Sequence, residues 1–187
     1  MRKQSSIAQI AIFFAIMLVL HLLSSVIFNL LPVPIKPTII HIPVIIASII
    51  YGPRIGAVLG ALMGVISVVT NTVVLLPTSY LFSPFVENGS INSLMIAMVP
   101  RILIGITPYF VYKCMKTKPG LVLAGAVGSM TNTIFVLGGI FILFSSVYNG
   151  DIKAMLALIF SANAISEMII SAILTVAIVP ALEKLKK

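Results

Sequence analysis

The chain has 187 residues, of which 60% are hydrophobic and 9% charged, with a formal net charge of +8, and its mean hydropathy is +1.21. This balance excludes a soluble globular domain and describes an integral membrane protein. At about 20 apolar residues per crossing, the length allows about six helical spans in one domain, residues 1–187.

Helices are preferred to a barrel because the apolar runs are continuous rather than alternating. The first span is expected from about Ile7 to Leu31, behind Arg2 and Lys3. It is too long for a signal core and has no small-residue cleavage site, so it reads as a retained span. Ala8, Ala11 and Ala15 recur at three and four residues along one of its faces, with Ser5 nearby, which permits close approach by a partner helix.

After a connector stiffened by Pro32, Pro34 and Pro37 and carrying Lys36, the second span is expected from Thr38 to Tyr51. Its length, about 21 Å at 1.5 Å per residue, falls short of the bilayer. That implies a helix buried by its neighbours or a locally thinned membrane. The third span, Ile55 to Leu75, carries Gly56, Gly60 and Gly64 at every fourth residue, a groove for packing inside the bundle.

The segment from Leu76 to Gly89 mixes Tyr80, Phe82 and Phe85 with turn formers. It reads either as a lid or as part of an interfacial aromatic belt. The fourth span, Ser93 to Met115, holds Arg101 between Pro100 and Gly105, where an irregularity is expected. The fifth runs from Gly120 to Ser146 and the sixth from Lys153 to Glu183.

With six spans and a cytoplasmic start, the inner segments hold Arg2, Lys3, Arg54, Lys113, Lys116, Lys118, Lys184, Lys186 and Lys187. The outer loops hold only Lys36 and Lys153. This bias places both termini in the cytoplasm and accounts for most of the net charge, leaving no reason to expect nucleic-acid binding.

Catalytic and metal chemistry lack their usual equipment. Cys114 is the single cysteine, and the four acids are Glu87, Asp151, Glu167 and Glu183, of which only Glu167 lies at depth. His21 and His41 are separated by the first outer loop, with His41 near the face where a solute would enter. No phosphate cradle of the Gly-x4-Gly-Lys-Ser/Thr type occurs, so no metal or cofactor is expected and any use of ATP falls to partner subunits.

The informative set is Asn71, Thr72, Arg101, Asn132, Asn163 and Glu167, because polar groups in lipid cost several kcal/mol unless they face the protein interior. Counting 1.5 Å per residue from the outer ends puts Arg101 at roughly 13 Å, Asn163 at roughly 16 Å, and Asn132 and Glu167 at roughly 21 Å. Overlapping depths point to a common cavity, and Asn163 and Glu167, four apart, share a helix face. Arg101 is then a carboxylate clamp, its planar guanidinium offering parallel donors, with the asparagine amides serving donor and acceptor groups. The other reading is an internal ion pair between Arg101 and Glu167. Asn71, His41 and Tyr80 complete the candidate binding set.

Six spans, the Ala11-x3-Ala15 strip and the late polar set resemble the substrate-binding S components of energy-coupling factor vitamin transporters across the whole chain. His41-Ile-Pro-Val44, Gly52-Pro-Arg54-x-Gly56, Pro77-Thr-Ser-x-Leu-Phe-Ser-Pro84 and Val99-Pro-Arg101-Ile-Leu-Ile-Gly105 resemble the branch assigned to pantothenate. The resemblance implies a subunit that captures a vitamin outside. It then joins a transmembrane coupling protein and two cytoplasmic ATPases, tilts in the membrane, and meets the coupling protein through Ala11 and Ala15. Pantothenate, with its carboxylate, amide and two hydroxyls, suits a cation plus several amides in an apolar cavity. Another vitamin or precursor, such as pyridoxine, hydroxymethylpyrimidine or riboflavin, would use the same asparagines with Arg101 paired to Glu167. Readings from other classes are a self-sufficient channel or secondary transporter and a non-transporting assembly factor.

Overall fold

The computed structural model describes residues 6–30, 38–148 and 151–186. Every regular element among them is helical. In chain order these are α1 (Ser6–Leu30), α2 (His41–Tyr51), α3 (Pro53–Val73), a 3-10 turn (Ser79–Leu81), α4 (Ile91–Ile104) and α5 (Thr107–Cys114). There follow α6 (Lys118–Leu143), α7 (Ser145–Tyr148), α8 (Ile152–Ile159) and α9 (Ala162–Lys186). Five stretches are long and apolar enough to cross a membrane, namely Ser6–Ile27, Pro53–Val73, Ile91–Cys114, Lys118–Leu143 and Ile152–Leu185, and His41–Tyr51 is a shorter apolar helix.

The short helix is the centre of the core. Its 11 residues span about 16 Å, and all from His41 to Ile50 are buried. Of the two explanations for its length, burial by neighbours is the one observed: α3, α5, α6 and α9 all pack on it. Phe13 and Met17 of α1 complete this core, while Ile7, Leu22 and other aliphatic side chains of α1 face outward. Such an apolar exterior is what a lipid-facing helix requires. The chain reverses from α2 into α3 at Gly52, whose φ of 97° lies in the left-handed region. Pro53 then starts α3, where its missing N–H costs no helical hydrogen bond.

The glycine groove of α3 is used as expected. A Cβ on Gly56 would strike the Gly105 carbonyl, one on Gly60 the Arg101 carbonyl, and one on Gly64 the Met98 sulfur and the Ala97 carbonyl. Helices α3 and α4 therefore meet backbone to backbone, with Arg101 at the middle of the contact. The irregularity expected around Arg101 falls at the C-terminal side of its bracket. Pro100 stays inside α4, and the helix gives way at Gly105 and Ile106 before Pro108 enters the first turn of α5.

The expected sixth span is broken at Phe160–Ser161 into α8 and α9. Asp151 caps α8 by accepting the backbone N–H groups of Lys153 and Ala154 at 2.8 and 3.3 Å. Helix α6 packs most extensively against α9 and also meets α4 and α5. Of its glycines, Gly125 lies against Ser171 and Thr175 of α9 and Gly128 against Ile45, whereas Gly138 faces open space. The connector at residues 31–37, with Lys36, lies outside the described residues.

Candidate functional site

Four helices contribute polar groups toward the end of the bundle at which α2 begins. His41 opens α2, Arg101 lies in the last turn of α4, Asn132 is near the middle of α6, and Asn163 and Glu167 lie one turn apart in α9. Arg101 is 9% exposed, Glu167 6% and His41 0%. Burial to this degree removes them from both water and lipid headgroups, so each must be satisfied from within.

Arg101 is held but not exhausted. Its Nη1 donates to the Ile96 carbonyl at 2.7 Å, and its guanidinium carbon sits 5.3 Å from the centroid of the Phe82 ring, a cation–π distance. Its Nε has no hydrogen-bond partner among the described residues. The backbone clamp from Gly60 fixes where the side chain starts, and the Ile96 carbonyl fixes the direction it takes.

Glu167 is engaged elsewhere. Its Oε1 accepts the Thr38 backbone N–H at 2.6 Å and the Asn163 side-chain amide at 3.4 Å. Among the described residues the internal Arg101–Glu167 ion pair is not formed; each group has its own separate partners. Thr38 immediately follows residues 31–37, so Glu167 anchors the point at which the first connector rejoins the bundle.

The two histidines part company. His21 Nε2 lies 3.1 Å from the Thr70 hydroxyl, an ordinary pairing within the bundle. His41 is fully buried with neither ring nitrogen hydrogen-bonded to a described residue. The Thr38 backbone lies beside its ring without completing a bond, and the charge of Arg101 acts on it. Asn132 Oδ1 is likewise buried and unpartnered among the described residues. Free polar atoms at His41, Arg101 and Asn132 thus belong to one group of packed helices, α2, α4 and α6.

The remaining candidates are placed differently. Asn71 donates its amide to the Ser67 carbonyl of its own helix at 2.9 Å. Tyr80 is half-buried, its ring 5.8 Å from that of Phe144 and its carbonyl bonded by the Ser93 hydroxyl. The segment from Leu76 to Gly89 folds back on the bundle end: Thr72 and Ser83 hydroxyls meet at 2.6 Å, and Leu81 packs with Ile96, Val136 and Ile140. Its three aromatics divide accordingly, Phe82 over Arg101, Tyr80 against Phe144, and Phe85 76% exposed. Phe82 and Thr38 are the neighbours of the polar set that residue type did not single out. Phe82 was one aromatic among three, and Thr38 acts through its backbone.

On α1, Ala11 and Ala15 are exposed, while Phe13 and Met17 on the other side are buried. No group of three or more His, Cys, Asp or Glu side chains close enough to hold a metal ion occurs among the described residues.

The sequence model of the family described as "ECF transporter, substrate-specific component" matches residues 5–179. The chain belongs to this family. This S component is also 49% identical over 187 residues, 97% of its own length and 95% of the relative's, to the pantothenic acid transporter PanT of Lactococcus lactis subsp. cremoris strain MG1363. It is a membrane protein, and the family resemblance seen in the motifs around His41, Gly52, Pro77 and Arg101 holds across nearly the whole chain.

Proposed function

We propose that this S component captures pantothenate at the extracellular side of the membrane. The observation that carries the proposal is the set of buried, uncommitted polar atoms at Arg101 Nε, His41 and Asn132 Oδ1 in a relative 49% identical to a pantothenic acid transporter. Arg101 holds the carboxylate of pantothenate through a charge-assisted hydrogen bond in a site of low dielectric. Asn132 accepts from an N–H or hydroxyl of the solute, and His41 supplies a donor or acceptor according to its tautomer. Asn163 and Glu167 hold the Thr38 end of the first connector against the site and, with Tyr80 and the oxygen of Asn71, line its approaches.

The wider machinery follows from the family. The chain has six spans with both termini in the cytoplasm, as the lysine and arginine bias supports. It has no ATPase or cofactor of its own and works with a transmembrane coupling protein and two cytoplasmic ATPases. Ala11 and Ala15, exposed on α1, form the contact with the coupling protein. The reading with another vitamin, such as pyridoxine or riboflavin, needs Arg101 neutralised by Glu167, and their separate partners speak against it.

The test is thermal unfolding of the purified protein with a vitamin panel. A ligand at a hundredfold excess over its Kd stabilises the native state by about 2.7 kcal/mol, so pantothenate should raise the transition and the others should not. Protection by a different vitamin alone overturns the substrate. Uptake into vesicles by this chain without partners or ATP would make it a secondary transporter.

A further inference from the structure

A second polar site lies toward the opposite end of the bundle. A cleft of about 240 Å³ is lined by Ile49 of α2, Tyr109, Tyr112 and Lys113 of α5, Lys116 just beyond it, and Glu183 of α9. Ile49 is eight residues along α2 from His41, about 12 Å further down the bundle. The cleft is therefore separate from the Arg101 site, and its ligand is independent of whether pantothenate is the solute.

The charges of the cleft are unbalanced. Lys113 and Lys116 are both exposed, and neither has an ion-pair partner among the described residues. The one acid, Glu183, lies 3.5 Å from the Tyr112 hydroxyl. Two ammonium groups and the Tyr109 phenol thus surround a space smaller than the roughly 300–1,000 Å³ that encloses a drug-sized ligand. Lysines at the end of α5 also offset that helix's dipole, but this does not explain why they share a cleft with two phenols.

The rim is apolar. Phe110 is 51% exposed and stands edge-on to Tyr109, with ring centroids 5.4 Å apart, and Met115 is 43% exposed. Tyrosine and lysine beside exposed apolar side chains mark the level of lipid headgroups. Basic pockets between transmembrane helices on the cytoplasmic side suit the phosphate of anionic lipids. We propose that this cleft binds a phosphate group, with Lys113 and Lys116 as its counter-charges and Tyr109 as a neutral donor. An anionic phospholipid would seat its headgroup here and lay its chains along Phe110 and Met115.

The experiment uses the full chain in detergent, its thermal transition measured with added phosphatidylglycerol, with phosphatidylcholine at equal amount, or with inorganic phosphate. Native mass spectrometry counts the lipid retained. Phosphatidylglycerol should be retained and should raise the transition above phosphatidylcholine. The Lys113→Gln/Lys116→Gln variant should lose that difference, while Arg54→Gln/Lys118→Gln, which removes the same charge outside the cleft, should keep it. Protection by inorganic phosphate as well would identify a site filled by soluble phosphate; protection by the lipid alone identifies the membrane as its source. Equal effects of the two lipids, or equal loss in both variants, would overturn the proposal.

Discussion

The backbone N–H of Thr38 donates to Glu167 Oε1 at 2.6 Å, joining residues 129 positions apart. Hydrogen bonds to charged groups contribute about 1.5–3 kcal/mol. This one fixes the chain where it returns from residues 31–37 to the buried helix α2. Replacing Glu167 with alanine should weaken pantothenate binding by about 10- to 150-fold. Glu167→Gln keeps an acceptor for Thr38 and should lose less. Equilibrium binding of radiolabelled pantothenate to the two variants checks the order; equal loss in both would mean that charge, rather than the bond, is what matters.

Arg101 is predicted to read the carboxylate. In Arg101→Ala the affinity for pantothenate should fall by about 10- to 150-fold, the equivalent of a lost charged hydrogen bond. The alcohol analogue of pantothenate, which has no carboxylate, should bind wild type and variant alike. Competition binding with the two compounds measures this directly. An unchanged affinity for pantothenate would remove Arg101 from the site.

The contact between Gly60 and the Arg101 carbonyl predicts a glycine that cannot be replaced. Gly60→Ala puts a methyl group into backbone with no room to yield, an overpacking cost of about 1–3 kcal/mol. Gly138→Ala meets nothing within 4 Å and should be neutral or stabilising by up to about 1 kcal/mol, because alanine is the better helix former. Thermal unfolding should show a lowered transition for Gly60→Ala and an unchanged or raised one for Gly138→Ala.

Ala15 is exposed on α1, so a bulky side chain there has space within this chain. Ala15→Trp should retain its thermal transition and bind pantothenate with a Kd unchanged within experimental error. Reconstituted with the coupling protein and ATPases, it should fail to support uptake. Normal uptake would show that the coupling contact lies elsewhere.

Hydropathy by itself determined that this is a helical membrane protein and where its apolar segments fall, because lipid leaves backbone groups no partner except one another. Gly56, Gly60 and Gly64 were legible as a packing groove for the same local reason: every fourth residue returns to one helix face. Pro100 and Gly105 marked the region where α4 gives way, and the break falls at Gly105, which lies against the Gly56 carbonyl. Only the tertiary structure decided how the polar residues are spent. Arg101 and Glu167 were equally compatible with pairing to each other, and their separation follows from the Ile96 carbonyl and the Thr38 N–H lying where each side chain reaches. The same holds for His21, satisfied by Thr70, and His41, buried without a described partner. Residue type states what a group can bond; which atom is within 3 Å of it depends on helices brought together from distant parts of the chain.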